Sequence, residues 1–143
     1  SLTPRPMRPD EEPQAHALHR RCHPDFPPRP SRWFFAHPTL VLAFRGRVIG
    51  LTSFTLSPMP EGYFAYLMDT MVHPDHQGCG YGNQLFDARE ALIVSLGAAK
   101  LVGLAAPAND RMNRMLARRG YIAGHTIPSA FPTGEGVLWM RSA

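Results

Sequence analysis

The sequence predicts an α/β protein on a mixed sheet, and three observations carry that prediction. β-branched and aromatic residues gather in runs between Thr39 and Val72, the pattern of strands. Apolar residues at helical spacing follow in two segments, one after Gly82 and one after Asn109. A short apolar run between them, Lys100 to Ala106, reads as a buried strand. The element order is then β, two helices, three strands, helix, strand, helix, two strands, an α/β (α+β) layer arrangement. The 143 residues fit a single domain, 1–143.

Leu2 to Arg8 is expected as a short edge strand, because Pro4 and Pro6 forbid a central one. Asp10 stands where it would cap a helix running to about Cys22, with Pro13 near its start. Pro24, Pro27, Pro28 and Pro30 then enforce a loop. Eight of the 15 prolines fall in the first 30 residues, so this region is made of stiff connectors. Ser31 is expected to cap a short helix through Arg32 to His37, which Pro38 stops. "TLVLAF" and "RVIGLTSFTL" are strands joined by the turn Arg45-Gly46-Arg47. "SPMPEG" is a second turn, and Tyr63 to Val72 a third strand. Three strands in meander order form an antiparallel group. Beyond Gly82, the residues Leu85, Ala88, Leu92 and Leu96 fall on one helical stripe, ended by Gly97. Asn109 or Asp110 caps the next helix, with Met112, Met115 and Leu116 inward and Gly120 at its end. Tyr121 to Ile127 and Val137 to Arg141 are the closing strands.

Composition excludes several classes. A hydrophobic content of 44% allows a core, and 18% charged is low for a disordered chain. The longest apolar region, Ala91 to Ala108, is broken by Ser95, Gly97, Lys100, Gly103 and Pro107, so a helix, a turn and a strand explain it better than a membrane span. The start lacks the apolar stretch of a signal peptide, and the two cysteines, Cys22 and Cys79, make no Cys-x-x-Cys pair. The expectation is a reducing, cytoplasmic location. The seven histidines include the pairs His16/His19 and His73/His76, but none has the spacing of a zinc site, and no metal is expected. The net charge of +4 comes almost wholly from arginine, Lys100 being the single lysine. That charge suits an anionic ligand and is too scattered to argue nucleic acid.

The stretch "HPDHQGCGYGNQLF", His73 to Phe86, holds glycines at 78, 80 and 82 where a strand becomes a helix. A helix start carries free N–H groups and about half a positive charge. Glycines remove the side chains that would hold a diphosphate away from those groups. Two well-known phosphate loops do not fit. The dinucleotide pattern needs Gly-x-Gly-x-x-Gly with an acid about 20 residues on, and Val102 and Gly103 stand there. The nucleotide P-loop needs Gly-Lys-Ser/Thr, and Gly82 precedes Asn83.

A third pattern fits. Gln77-Gly78-Cys79-Gly80-Tyr81-Gly82 reads as Gln/Arg-x-x-Gly-x-Gly/Ala, after a strand ending Val72-His73-Pro74 and before an amphipathic helix. This resembles the acyl-CoA signature of the GNAT superfamily of N-acetyltransferases. Asn109 near the start of the following helix and the Gly120-Tyr121 step that ends it extend the likeness over nearly the whole chain.

The resemblance implies the acyl-CoA N-acyltransferase fold, a central mixed, mostly antiparallel twisted sheet of six to seven strands flanked by about four helices. It implies acetyl-CoA as the cofactor, its pyrophosphate on the N–H groups of Gln77, Gly78, Cys79, Gly80, Tyr81, Gly82 and Asn83. The pantetheine arm would pair with Met71 and Val72, in a gap where the fourth and fifth strands splay. The Val72 N–H would face the thioester oxygen, and Asn109 would contact the pantetheine. The reaction implied is direct acetyl transfer to a primary amine without an acyl-enzyme, since Cys79 lies in the phosphate loop. A non-catalytic acyl-CoA-binding sensor on the same fold is the alternative.

An alkyl amine has a pKa of about 10, so a base must take its proton. Asp69 is the first candidate, because it interrupts the strand face Ala65, Leu67, Asp69, Met71. A carboxylate satisfied by backbone or by an arginine is the competing reading, and His73 is the second candidate. Many relatives carry a tyrosine seven residues after Asn109 to protonate the thiolate. Here that residue is Leu116, which can donate nothing, so the alternatives are Tyr81, Cys79, Tyr121 or water as the acid, or no acid at all. The acceptor is expected to be a small-molecule or peptide amine, met by residues of Cys22 to Phe35 and Pro128 to Gly136. Phe26 and Trp33 are candidates for an aromatic wall and Phe34 for the core. Arg111, Arg114 and Arg118 share a helix face that is expected to be solvated. No membrane or nucleic-acid partner is expected, and a homodimer is an open possibility.

Overall fold

The computed structural model describes residues 2–143 and orders seven strands in one sheet, β1-β2-β3-β4-β5-β7-β6. In chain order the elements are β1 (Arg5–Pro6), α1 (Glu12–Cys22), α2 (Trp33–Ala36), β2 (Thr39–Phe44), β3 (Arg47–Met59), β4 (Gly62–Val72), α3 (Tyr81–Ser95), β5 (Lys100–Ala105), α4 (Asp110–Arg118), β6 (Ile122–Phe131) and β7 (Gly134–Ser142). β4 and β5 are parallel, and their ladder holds Phe64–Tyr66 against Lys100–Val102. The pairs β1–β2, β2–β3, β5–β7 and β6–β7 are antiparallel. The mixed sheet and four helices expected from the sequence are therefore present.

The contacts group the chain into two compact units, one made of residues up to Thr55 with Met68–Ser95, the other of Leu56–Leu67 with Leu96–Ala143. In the first unit, strand alternation sorts the core onto two faces. Val41, Val48, Leu51 and Met71 meet Ala15, Leu18 and Phe34 of α1 and α2. Leu42, Ile49 and Val72 meet Leu85 of α3. Gly50 permits that second packing. A Cβ there would stand 3.0 Å from Leu85 Cδ1 and 3.4 Å from the Met71 carbonyl. Arg45 and Gly46 form the turn between β2 and β3 with φ of 52° and 76°, the left-handed pair that a two-residue hairpin needs.

Several local expectations are corrected here. Asp10 does not cap α1, because a 3₁₀ turn, Pro9–Glu11, precedes it and contains that residue. Ser31 does not cap α2. The Trp33 N–H closes a turn on the Pro30 carbonyl, which leaves Arg32 as the N-cap at φ 64°. β3 runs on through Ser57 and Pro58 to Met59, which shortens the second turn. The inward face of α3 is Leu85, Phe86, Arg89, Glu90 and Ile93. Leu96 lies past the end of the helix and is 50% exposed. The apolar stripe read from the sequence is thus rotated, because two charged residues go inside.

In the second unit, Leu101, Val102 and Ala105 of β5 are buried, as are Met115 and Leu116 of α4. A Cβ on Gly103 would lie 3.5 Å from Leu67 and 3.7 Å from Leu116. Leu116 therefore packs down onto β5. Asn113 donates to the Ala106 carbonyl at 3.0 Å and accepts from Trp139 Nε1 at 3.0 Å, tying α4 to β7. The closing strands are longer than expected, reaching Phe131 and starting again at Gly134. Among the described residues no helix is long and apolar enough to cross a membrane, and no group of three His, Cys, Asp or Glu side chains could hold a metal ion.

Candidate active site

The end of β4 organises the first unit's polar chemistry. The Val72 carbonyl accepts the Gln77 Nε2 donor at 3.0 Å and the Cys22 thiol at 3.5 Å. The next N–H, of His73, donates to the Ile49 carbonyl at 2.7 Å. His73 then starts a 3₁₀ turn, Pro74–His76, and its Nδ1 accepts the Asp75 N–H at 3.1 Å as an N-cap. His73, Asp75 and His76 line an open cleft of about 260 Å³ with Phe44, Arg45 and Arg47 of the β2–β3 turn.

Gln77 thus has a visible job, bracing the loop against the strand before it. Gly78 and Gly80 adopt φ of 79° and 81°, which side chains rarely adopt. Gly82 does not. It sits inside the first turn of α3 with ordinary φ, and a Cβ there would meet nothing within 4 Å. Neither backbone conformation nor packing inside the protein requires a glycine at 82. The first intrahelical bond of this helix runs from Gln84 N–H to the Gly80 carbonyl at 3.1 Å. The Tyr81 and Gly82 N–H groups therefore have no intrahelical acceptor. No acidic residue stands in this first turn, so the positive end of the helix dipole is not offset locally. These residues fit a diphosphate.

Asp69 is where the strand pattern placed it, on the face toward α1 and α2, and it is 5% exposed. Its Oδ1 accepts Arg29 at 2.7 Å, and its Oδ2 accepts Trp33 Nε1 at 3.3 Å and Ser53 Oγ at 3.2 Å. Its carbonyl accepts Thr52 Oγ1 at 2.9 Å and Arg89 at 3.2 Å. Arg89, 2% exposed, also donates to the Ser53 carbonyl at 3.1 Å, and so ties α3 to β3 and β4. The Arg29 guanidinium lies 4.8 Å over the Trp33 ring.

Sequence reasoning passed over Arg29, Ser53 and Arg89. Arg89 could have been found from its spacing, since it stands four residues after Leu85 and three after Phe86. Arg29 gave only a weak signal, a lone charge between Pro28 and Pro30. Of the expected aromatic residues, Phe34 is core, Trp33 binds Asp69, and Phe26 stacks on His23 with centroids 5.1 Å apart.

The end of α1 supplies three more groups. His19 is buried against Phe34, at 6.4 Å between centroids, and His23 lies 5.4 Å from His19. Burial holds both imidazoles below the ordinary histidine range, against the pull of Asp69 and with the help of Arg29. Burial pushes the Cys22 thiol up, so it stays protonated at neutral pH.

The remaining expected residues stand in the second unit. Asn109 caps α4, its Oδ1 accepting the Met112 N–H at 3.2 Å. Leu116 is 2% exposed. Arg111, Arg114 and Arg118 are exposed.

Comparison with known proteins gives a family and a fold. Residues 7–121 match the model of the acetyltransferase (GNAT) family. A search of curated proteins by sequence gives no match. Among solved structures, the ribosomal-protein-S18-alanine N-acetyltransferase of Escherichia coli is similar with a TM-score of 0.84 at 17% identity, over 99% of this chain and 94% of that one. Arabidopsis thaliana Naa50, in complex with the bisubstrate analogue CoA-Ac-MVNAL, gives 0.83 at 16%, over 100% and 99% of the two chains. Arabidopsis thaliana NAA60 in complex with acetyl-CoA gives 0.81 at 15%, over the full length of both. Identities this low carry the fold alone.

Proposed function

The chain belongs to the acetyltransferase (GNAT) family, and we propose that it transfers an acetyl group from acetyl-CoA directly to a primary amine. The observation that carries the reading is Gly82, a glycine with no internal reason to be one. A ligand that must approach the helix mouth supplies the reason. The N–H groups from Gln77 to Asn83 would hold the pyrophosphate, with Tyr81 and Gly82 contributing the helix's own end. Gln77 fixes the loop by its bond to the Val72 carbonyl. Met71 and Val72 offer a strand edge to the pantetheine arm. When bound, acetyl-CoA supplies a thioester carbonyl open to an amine. The Val72 N–H would face that oxygen and stabilise the charge it gains.

Asp69 holds the acceptor side together in this reading. Its carboxylate fixes Arg29 and Trp33, and through them the proline-rich connection between α1 and α2. Positioning supplies much of the rate in such transfers. Peptide amines are the first acceptors to try, because one similar structure is a ribosomal-protein-S18-alanine N-acetyltransferase and another holds the bisubstrate analogue CoA-Ac-MVNAL. A second reading, an acyl-CoA sensor without turnover, is favoured by Leu116, which lacks a proton to give.

One assay series separates these. Saturating acetyl-CoA should raise the melting temperature, and thiol release over an amine panel should appear with at least one acceptor. A melting curve unmoved by acetyl-CoA removes both readings. Binding with no thiol release on any amine leaves the sensor.

A further inference from the structure

We infer that the His23 imidazole is the general base that takes the proton of the attacking amine. The inference rests on the acetyl-transfer reading above and names the group that reading leaves open.

The placement comes first. Cys22 and His23 end α1, and the Cys22 thiol contacts the Val72 carbonyl at 3.5 Å. His23 is therefore one residue from direct contact with the residue whose N–H is proposed to face the thioester. It lies on the side of the sheet where α1 and α2 pack, opposite the face that α3 covers. Its backbone is held at both ends. The His23 N–H closes on the His19 carbonyl at 2.8 Å, and the Phe26 N–H closes on the His23 carbonyl at 3.1 Å. Its ring is held flat against Phe26, with planes 19° apart.

The chemistry separates His23 from its rivals. Among the described residues no group hydrogen-bonds either nitrogen of the His23 ring, so its lone pair is open. Asp69 spends both carboxylate oxygens on Arg29, Trp33 and Ser53. His73 spends Nδ1 on its own turn and faces the cleft of the β2–β3 hairpin. The charged groups that act on His23 are Asp69 from β4 and Arg29 from the loop, and its ring neighbours are His19 and Phe26. Burial and Arg29 keep the ring neutral, and Asp69 favours the imidazolium that forms when it takes a proton.

The step balances with groups in hand. The N–C bond forms and the C–S bond breaks. The ammonium first gives one proton to His23, which passes it to solvent and frees the nitrogen lone pair. After attack a second N–H proton passes to His23 and from it through water to the departing sulfur, so the products are the amide, the thiol and one released proton. One imidazole then serves as base and acid, in a chain whose Leu116 has no proton to give.

The experiment compares the whole protein with His23→Gln and His23→Ala. Calorimetric titration with coenzyme A should give the same affinity for all three. With an amine that supports thiol release, kcat should fall by about 10²-fold or more. The acid limb of the kcat/KM profile should vanish, and imidazole buffer should restore part of the rate to His23→Ala. NMR of histidine-labelled wild-type protein should show the His23 ring titrating below about 6.5. A His23→Gln protein with wild-type rate and pH profile overturns this inference alone, as does an acid limb that persists unchanged in His23→Ala. Absence of thiol release from the wild-type protein on every amine overturns the transfer reading, and this inference with it.

Discussion

Arg29 and Asp69, 40 residues apart in sequence, meet at 2.7 Å. The pair closes a proline-rich connection onto the middle of the sheet and places an arginine, a tryptophan and two histidines around one buried carboxylate. Removing Arg29 leaves that carboxylate with two neutral donors. The Arg29 side chain is 32% exposed, so water takes up part of the loss. Arg29→Ala should lower unfolding stability by about 1–3 kcal/mol. It should also make residues 24–30 cleave faster in limited proteolysis. Urea unfolding and a protease time course check both. A double-mutant cycle with Asp69→Asn should show coupling between the two sites.

Gln77 joins the glycine loop to β4 through a single 3.0 Å bond. Gln77→Ala should weaken coenzyme A binding by up to about tenfold, the worth of one such bond. The melting temperature should change little, because Gln77 is exposed. Calorimetry with coenzyme A and a thermal melt separate the two effects.

Arg89 is a buried cation whose role is to satisfy carbonyls of β3 and β4. Arg89→Ala removes a donor from the Ser53 and Asp69 carbonyls and opens a cavity beside Phe86, over which the guanidinium lies at 4.5 Å. A loss of about 3–5 kcal/mol is expected. Arg89→Met, which fills the space and leaves the carbonyls, should lose less. Denaturant unfolding of both variants tests the order.

Stability should depend on pH in two acid steps. The imidazoles of His19 and His23 are depressed in the fold, so the unfolded chain binds their protons more readily. Their contribution is complete above about 6.5 and is lost as pH falls through their native values. The Glu11 carboxyl is also depressed, first by its hydrogen bonds from Arg5 and then by the Arg8 N–H. Its contribution is complete above the ordinary carboxyl range and is lost below it. Melting temperature followed against pH should show both falls. Glu11→Gln should remove the lower one and leave the upper.

The fold was legible where local chemistry decides. Gly46, Gly97 and Gly120 mark turns that only left-handed φ can make, and all three adopt it. The alternation Ala65, Leu67, Asp69, Met71 is buried as read. What the sequence showed of the proposed site is its cofactor side, where one continuous segment, Gln77 to Asn83, carries the family pattern. The proposed acceptor side draws on residues brought together from α1, the proline-rich loop, β3 and β4. Spacing cannot show that Arg29 will find Asp69, or that Arg89 will turn inward and rotate the α3 stripe. Those placements come from pairing buried charge, which is settled by tertiary contact.

The account stands most directly on Gly82, and one measurement tests it: calorimetric titration of coenzyme A into the wild-type protein and Gly82→Glu. Glutamate has room at this position and is favoured in the first turn of a helix, so the variant should fold and melt at or above the wild-type temperature. Its charge should repel the pyrophosphate and weaken binding by at least about tenfold. Equal affinity in the two proteins, or no binding by the wild type, would contradict the account.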